Sequence, residues 1–277
     1  MKLRCADRVL DLSSPQVMGV LNVTPDSFSD GGDYASLDAA LFRAQEMVSQ
    51  GVAIIDVGGE STRPGAAKVA LQQELDRVVP LIERIASQLD ICISVDSSRP
   101  EVMLAAQAAG AHLINDVRAL QRDGAISAAQ QAGLPVCLMH MQGEPDTMQL
   151  DPSYDHMLND VHSFLEARIQ ACIDGGIPRD QILMDPGFGF GKSVEHNYQL
   201  LAKLEGFKSL NVPILIGLSR KSMIAAVLNN CSVNERLAGS LAGAVIAAMN
   251  GAHIIRVHDV KETVDALRIV KATQQQQ

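Results

Sequence analysis

Short apolar runs, rich in Val and Ile and too short for helices, recur along the chain: VMGVLN from Val17, AIIDVGG from Ala53, ICISVD from Ile91 and HLIND from His112. Four more follow, PVCLMHM from Pro135, ILMDPG from Ile182, PILIGLS from Pro213 and HIIRVHD from His253. Each reads as a strand, and the near-continuous apolar character is that of parallel strands covered on both faces. The stretches between them have helical periodicity. From Ser36 to Gly51 the apolar positions are Leu37, Ala40, Leu41, Ala44, Met47 and Val48, one stripe of an amphipathic helix, with Ser36 a candidate cap at its start and Gly51 at its end. Similar patterns cover about 71–89, 99–110, 123–132, 154–175, 194–205, 234–250 and 260–272.

Successive strand ends lie roughly 34 residues apart, the length of a βα unit. Eight such units predict a single-domain (β/α)8 TIM barrel spanning 1–277, with a short N-terminal extension over 1–16 and a frayed tail over 273–277. An open doubly wound sheet could use the same elements, but Gly-x-Gly-x-x-Gly is missing after the first strand. A length of 277 residues suits one barrel of this type, and no linker composition marks a second domain. The polar stretch from Met141 to Ser153 is the longest insertion after a strand and is expected to be a mobile loop.

Charge narrows the partners. Twenty-three Lys plus Arg face 32 Asp plus Glu, a formal net charge of −9, and no basic cluster exceeds Arg220-Lys221. Nucleic acid and anionic membrane surfaces are therefore not expected as partners. No apolar run approaches the ~20 residues that span a bilayer, and MKLRCADRVLDLS has no signal-peptide core, so a cytoplasmic protein is expected. Cys5, Cys92, Cys137, Cys172 and Cys231 are scattered and odd in number, which reads as reduced thiols rather than a disulfide or zinc framework.

In such barrels the chemistry sits at the carboxyl ends of the strands, and here nearly every strand ends in a polar group: Asn22, Asp96, Asn115, Asp185 and Arg256-Val257-His258. The alternative for each is a helix or turn cap. Ser98 with Glu101, and Asp259 with Glu262, have capping spacing, which leaves Asp96 and His258 for other work. Three loops add candidates. NVTPDSFSDGG carries Asp26 and Asp30 between turn formers, and DVGGESTRPG places Thr62-Arg63 between glycines, where a guanidinium suits a carboxylate or phosphate. DPGFGFGKS ends in Gly-Lys-Ser, but five positions before Gly191 stands Pro186, so the phosphate-loop pattern fails by one residue. Lys192 is then expected to be a solvated loop lysine, and Phe188 or Phe190 to wall a pocket. Lys221 and Ser222 follow the seventh strand. Cations Arg63, Lys221, Arg256 and His258 at one rim favour an anion site, while Asp96, Asn115 and Asp185 suit a flat heterocycle rich in N–H donors.

The blocks NVTPDSFSDGG, DVGGESTRPGA, SVDSSRPEV, DPGFGFGK, GLSRKSMI and GAHIIRVHDV together resemble the dihydropteroate synthase family, from about Val17 to Val260. One mild departure is Asp96-Ser97 where the family commonly has Asp-Thr. The resemblance implies a transferase of folate biosynthesis that condenses 6-hydroxymethyl-7,8-dihydropterin diphosphate with p-aminobenzoate, releasing pyrophosphate and 7,8-dihydropteroate. It also implies Mg2+, a homodimer and sensitivity to sulfonamides. By motif, it assigns Asp96, Asn115, Asp185 and Lys221 to the pterin ring, and Asn22 to the metal. Thr62, Arg63, Arg256 and His258, with Asn22, fall to the diphosphate, and Phe28, Thr62, Pro64, Phe190 and Ser222 to p-aminobenzoate. The resemblance also implies that Asp30 helps to organise the first loop and the metal, and that with Asn22, Arg63, Lys221, Arg256 and His258 it makes up the catalytic set. Two other readings use the same strand ends: a barrel that passes a methyl group from a folate, and a non-catalytic binder of pterins or phosphorylated metabolites.

Overall fold

In the computed structural model the described residues are 1–23, 33–61, 69–143, 147–148 and 152–276, for 33–36 the backbone alone. A hairpin of β1 (Lys2–Cys5) and β2 (Arg8–Asp11) precedes eight parallel strands. These are β3 (Gln16–Asn22), β4 (Ile54–Gly58), β5 (Cys92–Asp96), β6 (Leu113–Asp116), β7 (Val136–Met139), β8 (Ile182–Asp185), β9 (Leu215–Ile216) and β10 (Ile254–Val257). Each expected strand is present. Their order runs β8-β7-β6-β5-β4-β3-β10-β9, and a parallel bridge from Met184 to Ile214 closes the ring. The fold is a (β/α)8 barrel.

Helices α1 (Asp33–Ser49), α2 (Leu71–Gln88), α3 (Pro100–Ala108), α4 (Ala125–Ala132) and α5 (Met157–Asp174) cover one side of the ring. The other side is covered by α6 (Val194–Ala202), α7 (Ser222–Val227), α8 (Leu237–Met249) and α9 (Val260–Gln274). Four local expectations change. Helix α1 begins at Asp33, before Ser36, so Ser36 is not its cap. Ser98 does not cap α3, because its hydroxyl donates to Asp116, whose other oxygen accepts the Leu120 N–H at 2.8 Å. Asp259 makes no capping bond to α9, because Arg220 Nε holds its carboxylate at 2.9 Å. Finally, α9 runs through Gln274, into the expected tail, since nothing in KATQ breaks a helix.

Strand parity divides the interior into two apolar regions and one polar one. In β4, Ile54, Asp56 and Gly58 face into the ring, while Ile55 and Val57 face the helices. At the amino end of the ring, Met18, Ile54, Cys92, Leu113, Cys137, Leu183, Leu215 and Ile254 form an inner apolar layer. Leu3, Cys5 and Leu12 of the N-terminal segment pack onto that layer and close the barrel floor, so the stretch read as an extension is a plug. At the carboxyl end the inward positions are polar or glycine, and this is where the barrel opens.

Candidate active site

Register brings the strand-end residues together. Asn22 pairs with Gly58, Gly58 with Asp96, and Asp96 with Asn115 across four adjacent strands. A Cβ on Gly58 would lie 3.0 Å from Asn22 Oδ1 and 3.5 Å from Asp96 Cβ. Glycine therefore keeps the space between these two side chains open. A Cβ on Gly217 would stand in ordinary contact with Arg256, 3.7 Å from its Cβ.

Arg256, on β10, reaches across the ring. Its Nε donates to Asp56 Oδ2 at 2.6 Å and its Nη2 to Asp96 Oδ2 at 2.7 Å, while Asn115 Nδ2 donates to the same Asp56 oxygen at 3.1 Å. The other Asp56 oxygen is buried with no hydrogen-bond partner among the described residues, and Arg256 Nη1 is likewise uncommitted there. The site thus has an inner acceptor and an outer donor to spare. Asp56 is the functional candidate that sequence reasoning passed over, because it lies in mid-strand. An aspartate facing inward from an otherwise apolar strand was the available signal.

Electrostatics follow from burial. Desolvation pushes the Asp96 carboxyl up to about 7, against the pull of Arg256, with the neighbouring Asp56 charge adding to the rise. Asp185 is also raised by burial, although Lys221 and the Gly187 N–H, 2.7 Å from its Oδ1, hold it back. The Lys221 ammonium is pushed down to about 8 by burial, against the attraction of Asp185. Lys221 donates to the Phe188 carbonyl and sits 4.5 Å from the Phe190 ring centre, a cation–π contact. Phe190 is half-buried beside Lys221, whereas Phe188 is fully buried in the core. On the β10 side, His258 Nδ1 lies 3.1 Å from Ser219 Oγ, which orients the ring. Ser222 opens α7 and is exposed.

Asn22, Asp96, Asn115, Asp185, Lys221, Arg256 and His258 are therefore gathered at one end of the barrel. Phe28, Asp30, Thr62, Arg63 and Pro64 lie outside the described residues. Lys192 is corrected: it is 2% exposed, not solvated, with its ammonium 2.9 Å from both His140 Nδ1 and the Gly187 carbonyl. On α8, Gly239 packs on Ile224 and Gly243 on Leu218.

The pterin binding enzyme family matches residues 18–258. The dihydropteroate synthase of Escherichia coli K12 is 57% identical over 273 residues, covering 99% of this chain and 96% of that protein; the Haemophilus influenzae enzyme is 53% identical, covering 99% of each. Among solved structures, Yersinia pestis dihydropteroate synthase in a sulfonamide drug complex superposes with a TM-score of 0.95 at 56% identity, covering 99% of this chain and 100% of that one. The Xanthomonas albilineans enzyme in complex with 7,8-dihydropteroate gives 0.91 at 46% identity and 99% coverage of both. With the polar barrel mouth, these matches show that the chain belongs to the pterin binding enzyme family and, within it, to the dihydropteroate synthases.

Proposed function

We propose that this chain condenses 6-hydroxymethyl-7,8-dihydropterin diphosphate with p-aminobenzoate to give 7,8-dihydropteroate and pyrophosphate. The observation that carries the reading is the convergence of Asp96, Asn115, Asp185, Lys221 and Arg256 on one barrel mouth. It comes in a chain 57% identical to a dihydropteroate synthase over 99% of its length. A pterin presents N–H donors along a flat edge. Buried carboxylates at Asp96 and Asp185 accept them, the Asn115 amide matches donors or acceptors, and Lys221 donates to a ring oxygen or nitrogen.

The same carboxylates favour a dissociative substitution. As the methylene–oxygen bond breaks, positive charge spreads into the electron-rich ring, and preorganised negative groups stabilise it more than they stabilise the neutral ground state. The bonding pair leaves with pyrophosphate, the arylamine nitrogen supplies the new pair to the methylene carbon, and its proton goes to solvent. No residue serves as a covalent nucleophile. Arg256 Nη1 and His258 receive the departing anion together with Thr62 and Arg63, while Thr62, Pro64, Phe28, Phe190 and Ser222 position p-aminobenzoate.

Magnesium fits this donor set. The ion commonly takes one or two protein oxygens and completes its shell with water and substrate phosphates, and Asn22 offers an amide oxygen at the mouth. When bound, the ion neutralises leaving-group charge. Asp30 is proposed to steady this corner. We further propose a cytoplasmic homodimer, supported by the apolar groove that Val245, Met249, Ala266 and Ile269 form between α8 and α9. Among the described residues no helix is long and apolar enough to cross a membrane.

The test is direct: incubate the purified protein with pterin diphosphate, p-aminobenzoate and magnesium, and follow both products. Equal amounts of pyrophosphate and dihydropteroate are expected, with a sulfonamide competing against p-aminobenzoate. Pterin binding with neither product would overturn the reading.

A further inference from the structure

Lys192 is a buried lysine to which the reaction above assigns no task; burial pushes its ammonium down to about 7, against the attraction of Asp185. It ends the segment DPGFGFGK, which leaves β8 and reverses at Gly187, Gly189 and Gly191, with φ of +76°, +77° and +63°. Three positive-φ glycines at alternate positions give a chain many alternatives of similar energy, so one conformation must be held by contacts from outside the backbone. Lys192 supplies them. Its ammonium has three acceptors for its three protons: the Gly187 carbonyl at 2.9 Å, the Phe190 carbonyl at 3.2 Å and His140 Nδ1 at 2.9 Å.

The clamp is built from the β7 side as well. His140 follows β7, and its ring is set edge-on to Phe164 with centroids 4.9 Å apart. A Cβ on Gly187 would overlap the His140 carbonyl oxygen, so the two strand ends meet without room for a side chain. Tyr154 donates to the Gly191 carbonyl at 2.6 Å, and the Asn197 side chain accepts the Gly189 N–H at 2.7 Å. Burial, and then the Lys192 charge, push His140 down to about 3, so its Nδ1 is available as an acceptor near neutral pH.

The opposite side of the same segment faces the site. Carbonyls 187 and 190 turn to Lys192, whereas carbonyl 188 turns to Lys221, and the Phe190 ring lies against the Lys221 ammonium. We propose that Lys192, clamped by His140, is a positioning residue: it fixes the Pro186–Gly191 segment so that Phe190 and Lys221 present one geometry to p-aminobenzoate and the pterin. This rests on the synthase reading above.

The experiment is steady-state kinetics for both substrates with Lys192→Met, Lys192→Arg and His140→Phe, beside wild type, with circular dichroism to confirm folding. Lys192→Met should raise KM for p-aminobenzoate about tenfold or more while kcat changes less, because misplaced binding groups weaken capture. Lys192→Arg, which keeps a permanent cation with several donors, should recover part of that loss. His140→Phe removes one of three acceptors and should raise the same KM about threefold. A folded Lys192→Met with wild-type KM for both substrates, whatever its melting temperature, would overturn the proposal. If Lys192→Met does not fold, an unchanged KM in His140→Phe does so instead. The wild-type control separates the two failures: no dihydropteroate from wild type removes the function, whereas product with unchanged variant KM values removes only the role of Lys192.

Discussion

Asp56 decides what Arg256 can do. With Nε and one Nη2 hydrogen committed to Asp56 and Asp96, the guanidinium is fixed across the barrel, and Nη1 with the second Nη2 hydrogen is left to meet an outer anion. Asp56→Asn removes the charge beneath it. Breaking a buried pair costs about 3 kcal/mol, and the lost aim should lower kcat/KM for the pterin diphosphate by at least ~10-fold; urea titration and initial rates check the two effects. Asp96 carries a pH prediction. With its carboxyl pushed up to about 7, it gains a proton as pH falls through that value. Arg256 then loses a charged partner and the developing cation a nearby anion, so kcat/KM should fall on the acid side. Asp96→Asn should be slow throughout and lack this limb, because it has no carboxylate to titrate. A limb that persists unchanged in Asp96→Asn would assign it to another group.

At the scale of elements, the floor and the mouth of the barrel are separable. The β1–β2 hairpin buries Leu3 completely at the amino end, far from the carboxyl-end chemistry. Leu3→Ala should cost about 3 kcal/mol of stability with little change in kcat, read from a denaturant melt and a rate assay. The hairpin escaped sequence analysis because its strands have four residues each and its turn uses Ala6 at φ +54°, without the usual glycine or asparagine. Helix α7, of six residues, was too short to show a stripe. The strands, by contrast, were legible because each is a local apolar run, and most of the runs end in a polar residue. The capping expectations failed because Ser98 and Asp259 find partners on other segments, and those bonds replace the local ones.

For the whole molecule, two of the exposed apolar residues fall beside one groove. Met249 and Ile269 are 57% and 70% exposed on α8 and α9, beside the groove proposed as the dimer surface. A charge on each, Met249→Lys with Ile269→Glu, should convert the dimer to a monomer with the barrel intact. Sedimentation velocity checks this, and a dimer unchanged in mass would place the interface elsewhere. The distribution of charge works at the same scale. An acidic chain gathers Lys221, Arg256 and His258 at one end, where they oppose Asp56, Asp96 and Asp185 instead of being dispersed in solvent.

The sequence by itself determined the eight βα units and placed Asn22, Asp96, Asn115, Asp185, Lys221, Arg256 and His258 at the carboxyl ends of the strands, where the structure gathers them. These are local properties, since strand periodicity and strand ends are written in neighbouring residues. Only the tertiary structure decided which side chains meet. Asp56 and Arg256 are 200 residues apart in the chain, and His140 and Lys192 are 52 apart. Their contacts depend on barrel register and on which polar groups burial forces into partnership. No window of sequence encodes that. Lys192 shows the difference: its polar loop reads as solvent-facing, yet three acceptors brought together by two strand ends make burial of its charge tolerable.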